Sequence, residues 1–98
     1  MDCNRIEICG QIADITPLRY TPAGVAVLNF RLNHASWQMH GGIKRNVECE
    51  IQALALDEVA KTAAKLKVGA PVRLTGFLAC KSKENTQLVL HVNNVESE

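Results

Sequence analysis

Between Val25 and Ala53 the side chains alternate in character, and this period of two constrains the fold more than any other feature. Ala26, Leu28, Phe30 and Leu32 fall on one face of an extended segment, and Val25, Val27, Asn29, Arg31 and Asn33 on the other. After an interval ending in Gly41-Gly42, the residues Val47, Cys49, Ile51 and Ala53 oppose Lys44, Asn46, Glu48, Glu50 and Gln52. Such alternation is the pattern of a half-buried strand. Two runs joined by a glycine-ending loop predict a long β-hairpin. One face feeds a core, and the other offers Arg, Lys and Asn to something outside. Pro22 to Gly24 signals a turn before the first run, because proline fixes φ and glycine admits positive φ. Trp37, the only tryptophan, falls in the loop of this predicted hairpin.

The same period recurs along the chain. Arg5 to Asp14 places Ile6, Ile8, Gly10 and Ile12 inward, and Thr16 to Pro22 then breaks the pattern with two prolines five apart. Leu56 to Lys67 reads as the one helix, with Leu56, Val59, Ala63 and Leu66 on a shared face, late lysines suited to the helix dipole, and Gly69 as a stop. Pro71 to Cys80 returns to strand, with Val72, Leu74, Gly76, Leu78 and Cys80 inward and Arg73, Thr75 and Phe77 outward. Lys81 to Thr86 is a polar, basic turn. Gln87 to Val95 is the last strand, with Leu88, Leu90 and Val92 inward, and Glu96 to Glu98 is expected to fray. Three strands, a helix and two strands predict an all-β domain with one short helix: a five-stranded Greek-key barrel of the OB-fold, the helix acting as its plug. Residues 1–98 form a single domain.

Composition excludes more than it selects. The chain has 11 basic and 10 acidic residues, so any basic site must come from clustering rather than from net charge. No apolar run approaches the roughly 18 residues of a membrane span, and no signal peptide opens the chain, so a cytoplasmic address without membrane contact is expected. The four cysteines form no C-x-x-C pair, and reduced thiols are expected, with Cys49 and Cys80 at core-facing strand positions. Zinc ligation by these and His34, His40 or His91 matches no common spacing, so neither metal nor cofactor is expected. Catalysis is not expected either: the chain shows no nucleophile with a paired base, no glycine-rich phosphate loop and no acid pair in a plausible pocket.

Arg19-Tyr-Thr-Pro-Ala-Gly-Val-Ala-Val-Leu-Asn-Phe-Arg-Leu32 resembles the second-strand signature of bacterial single-stranded DNA-binding proteins, where a Tyr-Thr-Pro-x-Gly turn leads into a Val-x-x-Phe-x-Leu strand. Later segments look like a shorter branch of that family, the primosomal replication protein N (PriB) group. They are Leu32-Asn-His-Ala-Ser36, Gly42-Ile-Lys-Arg45, Cys49, Gly76-Phe-Leu-Ala-Cys80, Lys83, Leu88-Val-Leu-His91 and Val95-Glu96. The resemblance covers nearly the whole chain. It implies an OB-fold homodimer that binds single-stranded DNA in replication restart, assists the PriA helicase and, in some bacteria, hands DNA to DnaT.

Single-stranded DNA binders of this fold combine a basic groove with aromatic stacking platforms. The candidates here are Arg31, Lys44 and Asn46 on the hairpin's outward face, Trp37, His40 and Arg45 in or beside its loop, and Lys81 and Lys83 in the basic turn. Arg19 and Tyr20, after the first strand, are further candidates. Trp37 could instead pack as a local anchor. Arg45 falls on the inward parity, so it marks either a frayed strand start or a structural partner. His34 and His91 are expected to make local hydrogen bonds. The outward apolar residues Val25, Val27, Phe77 and Val89 fit a subunit interface better than DNA. Relatives can carry an outward stacking aromatic at the position of Glu48. With Glu50 on the same face, two carboxylates here oppose a polyanion. A protein-interaction OB module whose DNA affinity is incidental is the alternative reading.

Overall fold

The strands form because each run alternates between a core face and a solvent face, and they close because the first strand serves two partners. The computed structural model describes residues 2–98. Its elements are β1 (Ile6–Ile15), β2 (Arg19–Tyr20), β3 (Ala26–His40), β4 (Ile43–Leu56), α1 (Asp57–Ala63), β5 (Pro71–Cys80) and β6 (Leu88–Ser97). The strand order is β1-β5-β6-β4-β3-β2. β1 pairs antiparallel with β5 over Ile6–Gln11 and with β3 over Gln11–Ile15, which joins the two ends of the sheet into a barrel. β4 and β6 run parallel through Ala53–Ala55 and Leu90–Val92. β1, β3, β4, β5 and β6 are the five strands of the expected Greek-key barrel. The two-residue β2, expected as loop, is appended to β3 at Val27 and Ala26.

Gly10 and Gly76 sit where strands cross too closely for a side chain. A Cβ at Gly10 would collide with the carbonyl oxygen of Asn33, and one at Gly76 with that of His91. Two register shifts finish the closure. In β1 the shift lies between Ile12 and Asp14, so Ile12 opposes Leu32 and Ile15 opposes Phe30. In β6 it puts Val92 opposite Gly76 and Val95 opposite Leu74, which keeps both valines toward the core.

The core holds Ile12, Leu28, Phe30, Leu32, Val72, Leu74, Leu90 and Val92 with alanines from β3, β4 and α1. Each such large side chain contributes about 1.5–3 kcal/mol on burial. α1 packs against β3, β4 and β6 through buried Ala60 and Ala63, as a plug should.

Several expectations change. The helix ends at Ala63, because Lys65 and Leu66 turn back on the carbonyls of Thr62 and Ala63 instead of continuing the i−4 ladder. Leu66 still packs on the core, but Leu56 is exposed on β4. Asp57 opens the helix at φ 59°, a left-handed turn that aspartate tolerates. Cys49 and Cys80 are exposed, because the strands carrying them leave the barrel before those positions. Leu88 is exposed for the same reason. The C-terminus is ordered: Arg73 meets Glu96 at 3.8 Å and Glu98 at 3.4 Å, and the Glu98 amide donates to the Pro71 carbonyl. The hydrogen bond to the Cys9 sulfur, and then the charge of Glu98, raise the Arg73 pKa above its ordinary value.

Candidate nucleic-acid interface

β3 and β4 remain paired to their tip, from Val27 opposite Leu56 to His40 opposite Ile43. Gly41 and Gly42 make the reversal in two residues, at φ 63° and 77°, the positive values that a tight hairpin turn demands at both positions. Beyond the barrel the pair continues as a two-stranded arm. Trp37 therefore lies within β3 opposite Asn46, not in a loop, because the loop is only those two glycines.

Residues directly opposite each other share a face. Arg31, Asn33, Trp37, Lys44, Asn46, Glu48, Glu50 and Gln52 accordingly stand on one outward surface. Trp37 is 63% exposed, so it is not a local anchor, and the Lys44 ammonium lies 5.3 Å from its ring centroid. Arg45, opposite Gln38, is exposed on the other face of the arm. His40 is exposed at the tip, and Tyr20 is 59% exposed beside the barrel.

A cleft of about 530 Å³ opens on the outward face where the arm joins the barrel. Arg19, Arg31 and Lys81 line it, brought together from β2, β3 and the connection after β5. Asn29, Gln52 and His91 supply further polar groups, and Leu54 and Val89 apolar surface. Arg19 donates to the Asn29 Oδ1 at 2.8 Å and forms no salt bridge among the described residues. Arg31 is held by Glu50 at 2.7 Å and Asp14 at 3.2 Å. The connection carrying Lys81 is braced by its own turn, the Lys81 amide donating to the Gln87 carbonyl and the Asn85 amide to the Ser82 hydroxyl. A larger cavity of about 730 Å³, at the root of the arm, is lined by neither Lys nor Arg and holds Glu48 and Glu98. The first gathers three cations against one carboxylate, Asp14, and the second gathers two carboxylates with no such cation.

The structure thus gathers Arg19, Arg31 and Lys81 in the cleft and extends the same face to Trp37, Lys44 and Asn46. Lys83 is exposed but does not line the cleft. Parity put Asn29 with Arg31 and Gln52 with Lys44, but it did not reveal that His91 joins them, since that requires the parallel pairing of β4 with β6. Val27 and Val89, assigned to a subunit interface, are each only 5% exposed. Val27 is covered because Arg19 and Leu56 flank it across the sheet, and Val89 because it lies in the wall of the cleft. Val25 and Phe77 keep exposed surface. His34 makes the expected local bonds, to the Cys9 carbonyl at 2.7 Å and the Ser36 hydroxyl at 2.8 Å. His91 does not; it stacks on Phe77. Among the described residues no three His, Cys, Asp or Glu side chains gather to hold a metal ion, and no helix is long and apolar enough to cross a membrane.

Residues 4–94 match the model of a single-strand binding protein family. The replication restart protein PriB of Nitrosomonas europaea is 42% identical over 91 residues, which cover 93% of this chain and 84% of that protein. The chain belongs to the PriB family. The PriB structure from Ralstonia solanacearum superposes on this PriB-family chain with a TM-score of 0.89 at 31% identity, covering 98% of each chain. A single-stranded DNA-binding protein from Thermus aquaticus, solved as a deletion mutant, shares the fold at a TM-score of 0.80 and 19% identity, over 98% of this chain and 50% of that one. PriB and its single-strand binding relatives are binding proteins, and this PriB-family chain is not an enzyme.

Proposed function

We propose that this chain binds single-stranded DNA as an accessory protein of replication restart in the cytoplasm. The strand would cross the outward face of β3 and β4 and pass the connection after β5. One observation carries the reading: three cations from separate segments, Arg19, Arg31 and Lys81, line one cleft, on a face that also presents an exposed Trp37. Cations neutralise phosphates, and an exposed indole stacks on bases of any sequence. The protein acts as a homodimer, assists the PriA helicase, and in some bacteria passes DNA to DnaT.

Titration with labelled oligo-dT of increasing length, at several salt concentrations, tests the DNA reading. Affinity that grows with length and then levels at a definite site size supports it. A second reading has its own observation, because Asp14, Glu48 and Glu50 place three carboxylates on or beside the same face. On that reading the module binds a protein partner, and DNA titration shows no site size and little salt dependence. Sedimentation equilibrium of the free protein tests the dimer.

A further inference from the structure

The outward face continues past the cleft onto β5, and there it carries a second aromatic. Asn29 opposes Leu54, Leu54 opposes His91, and His91 opposes Phe77, so these four side chains form one row across β3, β4, β6 and β5. Three of the four line the cleft. Phe77, at the end of the row, is 37% exposed. Its ring lies over that of His91 with centroids 5.1 Å apart and planes within 13°. Parallel stacking at this separation seats one face of the Phe77 ring on the imidazole and fixes the ring's orientation, so that a base can stack only on its other face. The His91 Nε2 is buried with no hydrogen-bond partner among the described residues, so stacking and strand pairing alone hold the imidazole. Outward parity by itself would assign Phe77 to a subunit interface. Its place in a row that begins in the basic cleft assigns it differently.

Resting on the DNA reading above, we propose that the Phe77–His91 pair is a base-stacking platform for single-stranded DNA. The strand places one nucleobase over the pair after its phosphates have passed Lys81 and Arg19. Together with Trp37 this gives two platforms on one face with the cations between them. Every base has a π-face, so the platform is tolerant of sequence.

The test places a reporter at the platform. In a Trp37→Phe background, Phe77→Trp leaves the introduced indole as the only fluorophore of its kind, and saturating poly-dT is expected to quench it. Phe77→Leu, which keeps the apolar contact and removes the π-face, should weaken oligo-dT binding roughly 5- to 150-fold and leave the salt slope unchanged. Phe77→Tyr should bind as the parent does. Unchanged emission from the introduced indole at saturating poly-dT overturns the proposal, as does parental affinity in Phe77→Leu. A loss of dimer in Phe77→Leu also overturns it and returns the ring to a subunit interface. If Trp37 is quenched in the parent while position 77 is silent, the DNA reading survives and the platform does not. If no form binds poly-dT, both fall.

Discussion

Arg31 is bound at both ends, yet it remains available. Its partners Asp14 and Glu50 are about half exposed, and exposed ion pairs are worth roughly 0–1 kcal/mol, so a phosphate can compete for the guanidinium. Glu50→Gln should therefore strengthen DNA binding by freeing one side of Arg31. Glu48 has no cation partner among the described residues, only a 3.5 Å contact from the Asn46 amide. Glu48→Lys replaces a repulsion with an attraction and should both tighten binding and steepen its salt dependence. Titration of the two variants at several salt concentrations checks this, and unaltered affinity in both would remove DNA from this face. Trp37 offers an independent signal. Its fluorescence should fall on adding poly-dT, and Trp37→Ala should cost about 1–3 kcal/mol of binding. Arg31, Lys44 and Asn46 were legible as one surface from parity alone. Trp37 has the same odd parity as Arg31, but that counts only if the strand runs unbroken to the turn.

The elements differ in how openly the sequence announced them. β1, the barrel half of β3, and β5 alternate because one face of each is buried, and those stretches could be read directly. The arm has solvent on both faces, so the alternation of Ala35, Trp37 and Met39 with Ser36, Gln38 and His40 marks no buried face, and only the paired glycines at its end hint at its reach. The helix was overdrawn because alanines and lysines favour helix wherever they stand, while the 3₁₀-like turn after Ala63 comes from packing. The connection after β5 was legible as basic, but not which lysine faces inward. Only Lys81 lines the cleft, so Lys81→Ala should reduce affinity for oligo-dT distinctly more than Lys83→Ala. Equal effects would mean that the two act as a diffuse charge. Gly76 tests the barrel itself. Gly76→Ala would drive a Cβ into the His91 carbonyl, and urea unfolding should show a loss of several kcal/mol, on the scale of about 2–5 kcal/mol for the core change Leu74→Ala.

For the molecule as a whole, near-neutral charge limits how many phosphates can be engaged. Two or three contacts per subunit give a slope of about −3 to −4 in log K against log salt for a dimer, at about −0.7 per phosphate. A much steeper slope would require a basic surface outside the cleft and arm. The arm also sets the shape: the extents are 50 × 32 × 22 Å, and the radius of gyration is 14.3 Å against about 12.6 Å for a compact chain of this length. Length of this kind makes stability uneven. A two-stranded ribbon is marginal by itself in water, so the arm opens without the barrel. In the free protein, the ladder amides of Gln38 and Arg45, a hydrogen-bonded pair of the arm, should exchange with deuterium far faster than those of Leu32 and Leu74, whose exchange waits for global unfolding. Oligo-dT should slow the arm amides selectively, so the free energy of ordering the ribbon becomes part of every measured affinity.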